Sequence, residues 1–265
     1  MADYLELSNL RVGLATAMVL VNAVISIFLR LKLEGSLLVA SLRTILQLTL
    51  IGFALEIIFA ESRPGAVIGF AIFMTIAAGW TAVSRLKRSY RGIWLNTVLS
   101  MWVSSWFIGL YAVTFVLQGI EPWYQAQYVI PILGMILGNT LNGISIGLDT
   151  ILDAFVSRRL EIETRLSLGA SRWEACRPEV QHAVRNGMMP IINSMMIVGL
   201  VSLPGMMTGQ LLSGTAPIDA IKYQITIMFL IASATGMGTV IAILLATVRV
   251  VNAHHQLEAW RLTTH

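Results

Sequence analysis

Between Ile130 and Ala154 the sequence sets Asn139, Asn142, Ser145, Asp149 and Asp153 into an otherwise apolar run. At about 100° per residue on a helix these side chains fall within one arc of roughly 120°, flanked by Gly134 and Gly138. A carboxylate or amide in hydrocarbon is costly unless it faces protein or water, so this stripe is a candidate lining for a transport pathway. Oxygen ligands at this spacing suit a hard cation, which makes Asp149 and Asp153 candidate metal ligands. Interhelical hydrogen bonding, with glycines permitting close approach, is the competing use of the same residues.

Other polar groups lie in apolar runs. Arg43 and Gln47 share a helix face at i and i+4, and Arg43 could reach Asp149 or Asp153 across helices. Glu56 falls roughly opposite Gln47, near the outer end of its run, and is a third candidate pathway or metal carboxylate. The pairs Met188-Met189, Met195-Met196 and Met206-Met207 crowd a later stretch. Thioethers favour soft ions, yet adjacent residues point about 100° apart and do not chelate unless the helix unwinds, for which Pro204-Gly205 supplies the means. Met206, Met207 and Gln210 are therefore pathway candidates, with flexible packing the plainer reading of the methionines. Cys176 rules out an internal disulfide and reads as a packing residue, and His254 and His255 read as a solvated tail.

These residues need a membrane scaffold. Hydrophobic residues make up 56% and charged ones 12%, with a mean hydropathy of +0.76, a balance outside that of soluble domains. At about 20 apolar residues per crossing, seven spans are expected: Leu10 to Leu29, Leu37 to Phe59, Ala66 to Val83, Ile93 to Leu117, Ile130 to Ala154, Met188 to Leu212 and Ala220 to Val251. Fourteen of the 18 Lys and Arg residues fall on alternate loops. Positive charge then places the N-terminus outside and the C-terminus in the cytoplasm, a reading that an even number of spans would break. The first nine residues carry no basic cluster, so no cleavable signal peptide is expected. The expected fold is all-α, one transmembrane domain over residues 1–265 in an inner or plasma membrane. The basic residues track the membrane rather than nucleic acid, and no repeat or low-complexity tract interrupts the pattern.

The longest polar stretch, about residues 157–187, is too short to fold alone. It reads as helix, turn at Gly169, and second helix, the latter opened by a capping box of Ser171 and Glu174. Trp173, Cys176, Val180 and Val184 would form the second helix's apolar face, with Pro178 ending or kinking it early. Such a helix seeks a groove on a partner, with Trp173 as anchor. No GxxxxGK[ST] phosphate loop occurs, so any ATP and Mg would be bound by another chain and no cofactor by this one.

Glu163, Gly169 and Ala170 stand at the spacing of the E-x5-G-A core by which permeases of ATP-binding cassette (ABC) transporters enter their ATPase subunits, with Thr164 and Arg165 replacing the usual alanines. Ser171, Arg172, Trp173 and Glu174 complete the candidate coupling segment. The runs Val198 to Gln210, Ala220 to Ile225, Pro131 to Asn139 and Arg43-x3-Gln47-Leu48 resemble the FetB-type bacterial permeases linked to iron export and the plant membrane subunits linked to aluminium tolerance. That resemblance implies two permease copies with two copies of a separate ATPase, and metal export. Three alternatives stay open: an ion-coupled transporter or channel using Glu56, Asp149 and Asp153; a nucleotide-sugar permease; and a non-transporting anchor for an ATPase.

Overall fold

The computed structural model describes residues 9–61, 63–116, 121–252 and 254–264. It divides into two units, residues 1–63 and 64–265.

The first unit is a helical hairpin of α1 (Asn9–Phe28) and α2 (Glu34–Glu61). Its turn is closed by Ser26, whose hydroxyl donates to Glu34 at 2.8 Å and accepts from the Leu33 amide at 2.9 Å. Arg43, Gln47 and Glu56 are exposed on α2.

The second unit holds α3 (Pro64–Ser84), α4 (Ile93–Tyr111, continued by a π-helical turn Ala112–Val116), α5 (Ala126–Ser157), α6 (Arg159–Ser167), α7 (Arg172–Ile197), α8 (Gly205–Leu212) and α9 (Pro217–Val250). Two short strands, β1 (Arg88–Ser89) and β2 (Thr263–Thr264), pair antiparallel and tie the chain's last residues to the α3–α4 turn.

Among the described residues six helices are long and apolar enough to cross a membrane: α1, α2, α3, α4 with its π turn, α5 and α9. The expected span from Met188 to Leu212 is not one helix. Its first part belongs to α7, which runs unbroken from Arg172 to Ile197. The chain then turns over residues 198–204, where Gly199 takes φ +84° and its amide donates to the Ser202 carbonyl at 2.9 Å, before α8 starts behind Pro204. Pro178 and Pro190 both lie inside α7, so Pro178 does not end the helix as its residue type suggests. Each proline removes one backbone hydrogen bond, and α7 continues through both.

Small residues hold α5, α7 and α9 together. A Cβ on Gly187 would come 2.6 Å from the Gly143 carbonyl oxygen, and one on Gly143 would come 2.6 Å from Thr235. A Cβ on Gly238 would meet Thr140 at 2.6 Å and Ser104 at 2.8 Å. Lipid tails are as apolar as leucine, so hydrophobicity alone does not join such helices, and close backbone approach supplies the van der Waals contact that does. Two apolar clusters follow, one around Ile144, Leu148, Ile151 and Phe155, the other around Ile136, Ile191, Ile227 and Ile231.

Candidate functional site

The 157–187 segment forms an elbow rather than a free loop. α6 ends at Ser167 with Leu168 as its cap, Gly169 takes φ +92°, a conformation L side chains rarely adopt, and α7 begins at Arg172. The capping box is complete: the Glu174 amide donates to Ser171 Oγ at 3.4 Å, while Glu174 Oε2 accepts from the Ser171 amide at 2.8 Å and from its hydroxyl at 2.7 Å. Those hydrogen bonds hold the Glu174 carboxyl below the usual carboxylate range.

Beneath the turn lies a buried ion pair. Glu179 is 1% exposed and accepts from Arg165 Nη1 at 3.0 Å, and the same guanidinium donates to the Ala175 carbonyl at 2.7 Å. Ile162 and Cys176 are fully buried beside it. Burial, with the Glu179 charge adding to it, pushes the Cys176 thiol up to about 12, so it is neutral at physiological pH. The expected partner-facing stripe of Cys176, Val180 and Val184 therefore packs within the chain. What the elbow exposes is Leu160 (78%), Leu168 (83%) and Trp173 (41%), the last covered on one side by the Arg172 guanidinium at 5.3 Å.

The stripe on α5 lies beside the basic α3–α4 turn. Asn142 accepts from Arg85 Nη1 at 2.8 Å, Asp149 accepts from the Lys87 amide at 3.2 Å with Lys87 Nζ at 4.0 Å, and Asp153 lies 3.4 Å from Arg88 Nε. Asn139 turns back, its amide donating to the Met135 carbonyl at 2.9 Å, and Ser145 is buried. Both carboxylates thus take basic partners from the second unit's own turn, whereas Arg43 belongs to the first unit. Among the described residues no three His, Cys, Asp or Glu side chains group as a metal would require. On α8, Met207 is buried, Met206 packs against the second apolar cluster, and the Gln210 side-chain oxygen is buried without a hydrogen-bond partner among the described residues, as is that of Gln224 on α9.

The sequence profile described as "Uncharacterised protein family (UPF0014)" matches residues 9–251. The chain belongs to the UPF0014 family. It is 40% identical to the UPF0014 membrane protein slr1647 of Synechocystis over 232 residues, 86% of this chain and 87% of that one. It is 31% identical to the "Probable iron export permease protein FetB" of Escherichia coli over 257 residues, 97% of each chain. With Protein ALUMINUM SENSITIVE 3 of Arabidopsis thaliana it shares 32% identity over 226 residues, 85% of this chain and 81% of that one. No solved structure matches. This UPF0014 protein is accordingly a multi-pass membrane protein of a permease family.

Sequence reasoning located the glycine turn and the cap of this UPF0014 chain because both are local. It passed over Glu179 and Arg165, 14 residues apart, which meet only once the elbow folds back. It also read His255 as a solvated tail residue. His255 is exposed, but its Nδ1 accepts from the Arg172 amide at 3.0 Å, binding the tail to the start of α7.

Proposed function

We propose that this chain is the membrane subunit of an ABC-type exporter, powered by a separate ATPase that grips the α6–α7 elbow. The observation that carries the reading is the exposure of Leu160, Leu168 and Trp173 on an elbow whose own interior is fully packed. Apolar side chains held clear of their own chain at a rigid turn fit a groove on a partner. ATP and Mg belong to that partner, which binds in two copies to a pair of permeases. The cargo is a metal ion, iron by the name of the Escherichia coli relative, moving along the α5 stripe past Asn139, Asn142, Asp149 and Asp153. Met206, Met207 and Gln210 of α8 line a further stretch of that route. The salt bridges to Lys87 and Arg88 fit carboxylates met in passing, at the cytoplasmic end, better than a resident metal site. They also leave the ion-coupled alternative without unpaired acids on α5.

With positive charge facing the cytoplasm, the reading keeps the N-terminus outside and the C-terminus in the cytoplasm. The ends of α3, α5 and α9 and the starts of α4 and α7 gather at the basic end, joined by β1–β2, the α5 salt bridges and His255. α7, its break and α8 then together make the crossing between α5 and α9, which keeps the count of crossings odd.

The test is capture of the candidate ATPase by detergent-solubilised permease. Trp173→Ala should cost at least about 2 kcal/mol, roughly a thirtyfold loss of affinity. Gly169→Val should lose capture through misaiming, because a β-branched residue does not readily take a positive φ. Asp149→Asn with Asp153→Asn should abolish transport and leave capture intact. Retention of the ATPase and of full transport by both elbow variants would overturn the reading.

A further inference from the structure

A pocket of about 470 Å³ opens where α4 begins and α9 ends, lined by Tyr90, Arg91, Arg249, Trp260 and Arg261. Its outer wall is built by the chain folding back after α9. The Glu258 amide donates to the Val250 carbonyl at 2.8 Å, Val251 pairs with Leu257, and β2 then lies along β1. Tyr90 is buried in the floor, its hydroxyl accepting from Asn96 Nδ2 at 3.0 Å.

The charge is one-sided. Arg261 Nε pairs with Glu258 at 2.7 Å and stacks on Trp260 at 5.3 Å. Among the described residues neither Arg91 nor Arg249 meets a carboxylate within salt-bridge distance. Allowing for Glu258 and about −0.5 for the carbonyl end of α9, the pocket keeps a charge of about +1.5. A cavity of this size with convergent guanidinium groups is an anion site, and the fork of arginine matches the oxygens of a phosphate.

Depth selects among anions. The apolar span of α4, 24 residues long, starts at Ile93, which is close to the length of one crossing, so Arg91, two residues before it, falls where the headgroups begin, and Arg249 lines the same pocket. Trp260 is 75% exposed beside them, and indole rings concentrate at that level. We propose that this pocket binds the headgroup phosphate of an anionic phospholipid, with Arg91 and Arg249 as the charge partners and Trp260 against the glycerol region.

The test uses the full chain in nanodiscs of phosphatidylcholine with a rising fraction of phosphatidylglycerol, scored by bound lipid in native mass spectrometry and by Tm. Wild type should retain phosphatidylglycerol and gain Tm saturably. Loss should be about fivefold in lipid affinity for Arg91→Gln and about thirtyfold for Arg91→Gln with Arg249→Gln. Arg158→Gln removes the same charge from an exposed position outside the pocket and should behave as wild type. Arg91 lies in an exposed turn, so the single variant keeps the test open if the double variant fails to fold. Equal losses in all three variants would reduce the effect to general surface charge and overturn the proposal. A full Tm gain from inorganic phosphate in pure phosphatidylcholine, with nothing added by phosphatidylglycerol, would assign the site to a free anion and overturn it likewise.

Discussion

Glu179 and Arg165 form an unequal pair, since the Glu179 side chain is 0% exposed and the Arg165 side chain 32%. Removing the arginine strands a carboxylate without water, whereas removing the acid leaves a guanidinium that can still reach solvent. Arg165→Ala should therefore destabilise by about 3–5 kcal/mol and Glu179→Gln by clearly less, measured as loss of Tm in detergent. Beside them Cys176 is a buried neutral thiol, and thiolate is the form that alkylates. Maleimide at pH 8 should leave it unmodified in the native protein and label it fully after denaturation in SDS. The cap above them is pH-dependent in one direction. The folded state holds Glu174 below its ordinary value, so its stabilising effect is present above the unfolded pKa and is lost as pH falls through the folded one.

At the scale of elements, the glycines sort by what surrounds them. Gly187→Ala drives a Cβ against the Gly143 backbone at 2.6 Å, and backbone does not yield as a side-chain tip does, so a loss of about 1–3 kcal/mol is expected. Gly147→Ala comes closest to the side-chain ends of Ile243 and Thr239 at 3.0 Å, with the Ala183 carbonyl oxygen at an ordinary 3.5 Å, and should cost less, while Gly138→Ala, with nothing within 4 Å, should be neutral. Fluorescence-detected size exclusion after heating ranks the three. Five of the expected spans, those that became α1, α2, α3, α4 and α9, and the core of α5 were legible from apolar run length alone. The sixth was not. Run length counts Met188 to Leu212 as one crossing, whereas the turn at Gly199 and the start of α8 behind Pro204 are backbone events inside an apolar window. The cap at Ser171 could be read because its partners lie three residues apart. The pairing of Asp149 with Lys87 spans 62 residues and depends on how α3 and α5 pack. Helical periodicity gathered the α5 stripe on one face and was silent on that partner.

For the whole molecule the topology is testable with the native thiol already out of reach. Single cysteines placed by Ser213→Cys, before α9, should react with an impermeant maleimide from outside intact cells. Those placed by Arg158→Cys and by Lys32→Cys should react only after permeabilisation. Labelling of Ser213→Cys and Arg158→Cys from the same side would mean that α7 and α8 fold back without completing a crossing.

The unbroken run of α7 has a mechanical consequence. At about 1.5 Å per residue its 26 residues make a rod of about 39 Å, with the exposed elbow at one end and the Val198–Pro204 break at the other. Pivoting such a lever by 10° about the point where Gly187 crosses α5, about 24 Å from Ser171, would carry Ser171 through about 4 Å. The lever's fulcrum is the Gly143–Gly187 crossing, where the backbones leave no room for sliding and tilt is the motion that remains. A push on Trp173 would then emerge beyond the fulcrum as an opposite swing of Ile197 and of the exposed turn at Leu200 and Val201.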